Sequence, residues 1–261
     1  MSAPTGQALP TFAKRGKRYF LDGEPVPSVT TILKDGYPAP ALISWAARTT
    51  ADYAVNRWDE LAAMPPAERL RTLERAAWAS RDAAALRGTE IHSLGESLVH
   101  GRPVEIPDAY VGPVEAYARF LDEFDVQPTL TECPVANPAH GWAGTPDLRA
   151  VLRGQVDYLL DLKTGRGVYD SHALQLAAYA HAAIYLDDDG NVHEWTPPQR
   201  VAVIHVKPDA VELLPVDAGE RAYSVFRHAS VVARYTRESS EAYKERRPWP
   251  IGRAIEPAHV A

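Results

Sequence analysis

Asp147, Asp161 and Lys163 are the residues of this chain whose types and spacing fit one piece of chemistry. Two carboxylates a few ångströms apart repel, and each raises the other's pKa unless a cation sits between them. Such a pair is a hard, oxygen-rich site suited to Mg2+ or Mn2+, ions that keep several waters for a substrate. A lysine two residues along can orient or help deprotonate an attacking water and can offset charge on a phosphate. A Lewis acid, a nucleophile and charge stabilisation together meet the needs of phosphodiester hydrolysis. The tripeptide D-x-K is common, and its plain alternative is a surface ion pair at a strand end with Asp147 capping a turn. The apolar run Tyr158-Leu159-Leu160 leads straight into Asp161, which places charge at the end of a buried strand and favours a use for it.

These residues need a hairpin to meet. Two strands are expected to turn at Arg153-Gly154, the second ending in Asp161-Leu162-Lys163. Alternation along that strand puts Asp161 and Lys163 on one face and Leu162 on the other. A three-residue loop centred on Gly154 sets Asp147 opposite Asp161, whereas a strict two-residue turn misses that pairing by one position.

The surrounding elements follow from pattern. Residues 1–17 read as a flexible tail, then residues 18–34 as a hairpin turning at Asp22-Gly23, with Pro27-Ser28 leading into a β-branched run. Helices are expected from Pro38 to about Trp58 and from about Tyr110 to Phe124. The stretch from Pro65 to Gly101 predicts two helices, or one bent near Arg87-Gly88. Strand-like runs occupy 128–163, a helix about 171–185, an acidic turn Asp187–Gly190, two more strands near 201–206 and 210–216, and a closing helix from Asp217 to about Tyr243. The expectation is an α/β or α+β domain over 18–246, with a helical portion at about 38–125, a core at about 126–245 and a tail at 247–261.

Composition sets limits. Of the 261 residues 46% are hydrophobic and 24% charged, as in an ordinary soluble globular chain. There is no run of about 18 apolar residues to span a bilayer, and the N-terminal stretch lacks the apolar core of a signal peptide. A cytoplasmic protein without membrane partners is expected. The single cysteine, Cys133, excludes an intramolecular disulfide and any site built from several cysteines; inside an apolar run it reads as a small buried hydrophobe. A net charge of −6 does not announce a nucleic-acid binder. Basic residues are nevertheless dense at Lys14-Arg15-Lys17-Arg18, at Arg69-Arg71-Arg75 and at Lys244-Arg246-Arg247. Each run is enough to track a phosphate backbone, or is a solvated helix face or frayed tail.

Gly144-Thr145-Pro146-Asp147, Asp161-Leu162-Lys163-Thr164-Gly165 and Gln175-Leu176-Ala177-Ala178-Tyr179, in this order, resemble the PD-(D/E)XK nuclease superfamily. More narrowly they resemble its RecB-like branch, which includes CRISPR-associated RecB-like exonucleases and many phage nucleases. Gly88-Thr89-Glu90-Ile91-His92 matches the branch's histidine setting, and Pro27–Leu33 is similar to the start of phage-type members, so the resemblance runs from about residue 27 to 180. It implies a restriction-endonuclease-like fold, a mixed central sheet flanked by helices. Asp147 and Asp161 would be metal ligands, with the backbone carbonyl of Leu162, and Lys163 the catalytic lysine. His92 would ligate or orient the metal; on its local sequence alone it is equally a packed or solvated helix residue. Gln175 and Tyr179 share a helical face; the family implies that they brace the centre and contact DNA, the alternative being a helix–sheet packing contact. Glu132 on the preceding strand is placed facing the same cleft, and Arg87 contacts phosphate or is solvated. Many CRISPR-associated relatives hold an iron–sulfur cluster on four cysteines, and a chain with one cysteine is expected to hold none.

The resemblance implies an Mg2+- or Mn2+-dependent DNA exonuclease or end-processing enzyme in phage or bacterial replication, recombination or repair. A non-catalytic DNA-binding or replisome module on the same fold, and an endonuclease for branched DNA, are the alternatives. No base-recognition module is visible.

Overall fold

The computed structural model describes residues 9–250. An N-terminal three-stranded sheet is built in sequence order from β1 (Phe12–Arg15), β2 (Arg18–Leu21) and β3 (Glu24–Val26). Four helices follow: α1 (Val29–Gly36), α2 (Pro40–Asn56), α3 (Trp58–Ala63) and α4 (Pro66–Val99). A one-turn 3-10 helix at Asp108–Tyr110 leads into α5 (Val111–Glu123). The central strands are β4 (Val126–Thr131), β5 (Val135–Asn137), β6 (Trp142–Gly144), β7 (Leu148–Leu152) and β8 (Val156–Lys163). After α6 (Asp170–Ala180) come β9 (Ile184–Leu186), β10 (Val192–Glu194), β11 (Arg200–Val206), β12 (Val211–Pro215) and α7 (Glu220–Lys244). This is an α+β fold with a mainly helical N-terminal part.

The main sheet has the order β12-β11-β8-β7-β4; only β8 and β11 pair in parallel. That parallel pair needs a crossover, which α6 and the β9–β10 hairpin supply. Alternation along the strands separates two cores. Leu160 and Leu162 of β8 join Ala202 and Ile204 of β11 under Ile91 of α4 and Tyr117 and Phe120 of α5. Leu159 and Val203 face the other way, onto α6, α7 and α1. A smaller sheet, β10-β9-β5-β6, packs beside the N-terminal hairpin through Phe12, Tyr19, Leu21, Ala136, Ala143 and Ile184.

Several expectations need correction. Strand structure begins at Phe12, inside the stretch read as a tail; residues 1–8 of that tail, and 251–261 of the C-terminal one, lie outside the described residues. The β-branched run after Pro27-Ser28 is helical. Ser28 caps α1 by accepting the Thr31 N–H at 3.1 Å, and burial of Val29 and Ile32 outweighs the weak intrinsic preference against helix. The stretch from Pro65 is one continuous helix of 34 residues, about 50 Å long. It packs on α2 and α5, with Ile91 and Gly95 buried and Ile91 in the cluster that holds Leu160 and Leu162 of β8. The helix predicted to reach Tyr185 stops at Ala180, because Ala183 donates its N–H to Ala136 and the chain enters the small sheet as β9. A short apolar run such as Ala182–Leu186 does not distinguish helix from strand by period.

The α1–α7 contact admits no side chain at Gly36. A Cβ there would lie 2.0 Å from the carbonyl oxygen of Ala229 and 2.9 Å from the Ala233 nitrogen, both backbone atoms. On an exposed helix a Gly→Ala change stabilises by up to about 1 kcal/mol. Gly36→Ala is expected to reverse that sign and destabilise by about 2 kcal/mol or more through overpacking, read as a lower midpoint in urea unfolding.

Candidate metal and active centre

The β7–β8 hairpin closes in the register the chemistry needs. Arg153 and Gly154 both take positive φ (51° and 62°), and Gln155 N–H donates to the Leu152 carbonyl at 3.1 Å. Gln155 is then an extra residue before the first pair, Leu152↔Val156, and the pairing runs on to Leu148↔Leu160. One step further sets Asp147 opposite Asp161. A second contact fixes the strand that delivers Asp147. A Cβ on Gly144 would sit 2.4 Å from Cε1 of Tyr179, a fully buried ring of α6. The glycine of Gly144-Thr145-Pro146-Asp147 is the space that Tyr179 occupies.

Three donor groups converge at this end of the sheet. One ligand atom each from His92, Glu132 and Asp147 lie within 4.8 Å of one another. His92 reaches the group from α4, its Nδ1 3.6 Å from Asp147 Oδ2. That same oxygen accepts the Leu162 N–H at 2.7 Å, a cross-strand bond that aims the carboxylate. Glu132 comes from the residue after β4. Its N–H donates to the Asp147 carbonyl at 3.0 Å, and its φ of 46° is the left-handed conformation that non-glycine residues avoid. Such strain persists where surrounding structure enforces it and gathers at functional sites. The three groups border a cleft of about 30 Å³ floored by Leu148, Leu160, Leu162 and Ile204. That space suits an ion or one or two waters, not an organic cofactor.

Asp161 behaves differently from the expected partner ligand of Asp147. It is 1% exposed, and its Oδ1 has no hydrogen-bond donor. The Lys163 ammonium is its close partner, Nζ lying 2.5 Å from Oδ2. Like charges on Asp147 and Asp161 repel, so each turns to a different source of positive potential, one to the Leu162 amide and the other to the Lys163 ammonium. Burial raises the pKa of both acids, with Asp147 adding to the rise at Asp161 and Lys163 opposing it at both. The Glu132 carboxyl, open to solvent on one side, is pushed up to about 7 by desolvation and then by Asp147. Desolvation and the Lys163 charge lower the pKa of His92, so its ring is neutral at pH 7 and offers a lone pair.

Among the other residues singled out by sequence, Tyr179 is 2% exposed, which removes it from any surface that DNA reaches. Gln175 Nε2 lies 3.4 Å from its hydroxyl, so the pair braces Gly144 from α6. Arg87 is exposed on α4 and is not part of the cleft. Gly88 of the histidine motif lets α4 approach the residue after Lys163, since a Cβ there would be 3.3 Å from Thr164 Oγ1. Sequence reasoning picked out Lys14 only as part of a basic run and missed Tyr19; their side chains meet Thr145 Oγ1 at 3.2 and 2.7 Å. It also missed His172, which caps α6 by accepting the Tyr169 N–H and whose pKa is pushed down to about 4 by burial and then by Lys163. No local pattern marks Tyr19 or His172; a hairpin folding back and a helix cap bring them in.

No protein-family model and no curated protein sequence matches the chain. The crystal structure of SSO0001 is a structural neighbour at 14% identity, covering 78% of this chain and 73% of that one, with a TM-score of 0.32. A likeness that low bears on neither fold nor function.

The buried carboxylate of Asp161 gives a signed stability test. Its folded pKa is raised, so the ionised form opposes folding, with no penalty below the ordinary carboxylate pKa of about 3.9 and the full penalty above the folded value. Asp161→Asn is therefore expected to stabilise the metal-free protein by about 1–3 kcal/mol at pH 7, with an advantage that grows from about pH 4 towards neutrality. Urea unfolding of both proteins in EDTA across that range measures it; a constant difference would refute the burial argument.

Proposed function

We infer that this protein is a divalent-metal-dependent DNA nuclease that hydrolyses phosphodiester bonds, acting as an exonuclease or DNA end-processing enzyme in replication, recombination or repair. The observation that carries the reading is the convergence of His92, Glu132 and Asp147 within 4.8 Å beside the buried Asp161–Lys163 pair.

The donor set fits a hard cation such as Mg2+ or Mn2+: two carboxylates and a neutral imidazole around a cleft of ionic size, with a buried Oδ1 on Asp161 that lacks a donor. His92, Glu132 and Asp147 are the residues that would hold it, with Asp161 adjoining. When bound, the ion supplies Lewis-acid polarisation of the phosphate and offsets its charge. The chain's own groups do the rest. The Leu162 N–H fixes the Asp147 carboxylate before substrate arrives. Lys163, tied to Asp161 and 20% exposed, offers an ammonium that can orient a water for attack and stabilise charge on the phosphoryl oxygens. Gln175 and Tyr179 keep the strand bearing Asp147 in place.

The wider setting is part of the same proposal. No helix among the described residues is long and apolar enough to cross a membrane. Cys133 is buried and its thiol is pushed up to about 12, chiefly by desolvation, so it is inert, as suits a reducing cytoplasm. With one cysteine in the chain, no iron–sulfur cluster enters the mechanism.

Purified protein is expected to degrade an end-labelled DNA strand with Mg2+ or Mn2+ and to lose that activity in EDTA. Asp161→Ala and Lys163→Ala should each reduce cleavage on the order of 10²–10⁴-fold while remaining folded. Full activity in either variant refutes the site, and cutting of a covalently closed circle refutes an obligate exonuclease.

A second measurement reads the metal directly. Mn2+ should raise the melting temperature of the parent, and Glu132→Gln or His92→Ala should weaken its binding roughly tenfold or more. A proton and the cation compete for Glu132, so Mn2+ affinity should fall as pH drops through about 7. Affinity unaffected by both substitutions would remove these residues from the metal site.

A further inference from the structure

The β1–β2 hairpin has a charge pattern that the chemistry of the cleft does not use. Lys14, Arg15, Lys17 and Arg18 fall within five residues, and no acidic residue lies between Leu9 and Leu21, in a chain of net charge −6. The hairpin is held rigidly. Phe12, Tyr19 and Leu21 are buried against Ala136 and Ala143 of the small sheet, and Gly16, at φ 59°, makes the tight turn. The register pairs Lys14 with Tyr19 on the inward face and Arg15 with Arg18 on the outward one. Like charges directly opposite on a hairpin oppose its formation. Here they are uncompensated: among the described residues Arg15, Lys17 and Arg18 make no ion pair, and Arg15 is steadied only by the Phe20 ring 5.0 Å away.

The hairpin is also fastened to the candidate active centre. Lys14 Nζ and the Tyr19 hydroxyl both meet Thr145 Oγ1, two residues before Asp147. The Arg15–Arg18 pair is the next step along the ladder, so the cationic tip starts about 3.3 Å further on from the anchored pair. Several uncompensated cations on one hairpin anchored beside a carboxylate cleft complement a chain of phosphates, and not a single small anion. We propose that the β1–β2 hairpin binds the phosphate backbone of a DNA strand and leads that strand into the cleft. The choice of DNA as the polyanion rests on the nuclease reading above.

Contacts of this kind set the salt dependence of binding and not its sequence preference. The test is fluorescence anisotropy of a short labelled single DNA strand with Ca2+ present, over a KCl series. The parent is compared with Lys17→Gln and with the triple variant Arg15→Gln, Lys17→Gln, Arg18→Gln. The slope of log K against log[KCl] is expected to become shallower by roughly 0.7 in the single variant and by about 2 in the triple variant, with the Mn2+-induced thermal shift retained. An unchanged slope in a folded triple variant overturns the assignment. If the triple variant does not fold, Lys17→Gln on the exposed turn decides the matter in the same way, an unchanged slope again overturning the assignment. Cleavage measured alongside separates the two readings. A parent that binds DNA with a hairpin-dependent slope but never cleaves removes the nuclease and leaves the hairpin; one that cleaves while the slope stays fixed does the opposite.

Discussion

The hydrogen bond from the Leu162 amide to the Asp147 carboxylate is the contact on which the site's geometry depends. It forms because the β7–β8 hairpin closes with one extra residue, Gln155, after a left-handed Arg153-Gly154 turn. A two-residue connection would slide β7 by one position and turn its side chains to the opposite face of the sheet. Asp147 would then leave His92 and Glu132, and Leu148, Ala150 and Leu152 would leave the core they share with α4 and α5. Folding and chemistry thus use the same register, and the hydrophobic pattern of β7 protects the placement of the acid.

Electrostatics supply the opposing side. A buried carboxylate with no hydrogen-bond donor costs free energy, and a second acid beside it adds to the cost. The fold tolerates Asp161 because Lys163 lies against it and because the apolar cores on both faces of the main sheet bury enough surface to offset the strain. Glu132 carries a smaller cost of the same kind, its carboxyl pushed up to about 7 by desolvation and then by Asp147. The three unfavourable features, at Asp147, Asp161 and Glu132, lie within one cluster. A divalent cation there would relieve them together.

The sequence made the hairpin and its acids legible, because strand alternation, a glycine turn and an apolar run are local signals. Asp161 and Lys163 could be placed from these alone, whereas Asp147 also needed the order of motifs that the family resemblance supplies. The partition of roles could not. Whether Asp161 or Glu132 joins Asp147 in the close donor set depends on the repulsion between two acids and on a backbone twist after β4, neither of which has a sequence signature. The helical front half was readable by composition, but α1 was hidden behind β-branched residues whose helix is held by the Ser28 cap and by packing on α7. β1 was hidden by its own charge. Four basic residues suggest an unfolded tail until the apolar residues between and beside them, Phe12, Tyr19 and Leu21, are seen to face a sheet.

The contact between Gly144 and Tyr179 has a consequence for how such a site can change over generations. The two positions are far apart in sequence but share a single volume, with a ring atom where a side chain at 144 would begin. A larger residue at 144 is viable only after the ring at 179 has shrunk or shifted, and a smaller residue at 179 opens a void beside the strand that carries Asp147. Single substitutions at either position therefore lead downhill in fitness, and drift through this region has to proceed by paired steps. The glycine at 144 is set by its neighbour at 179.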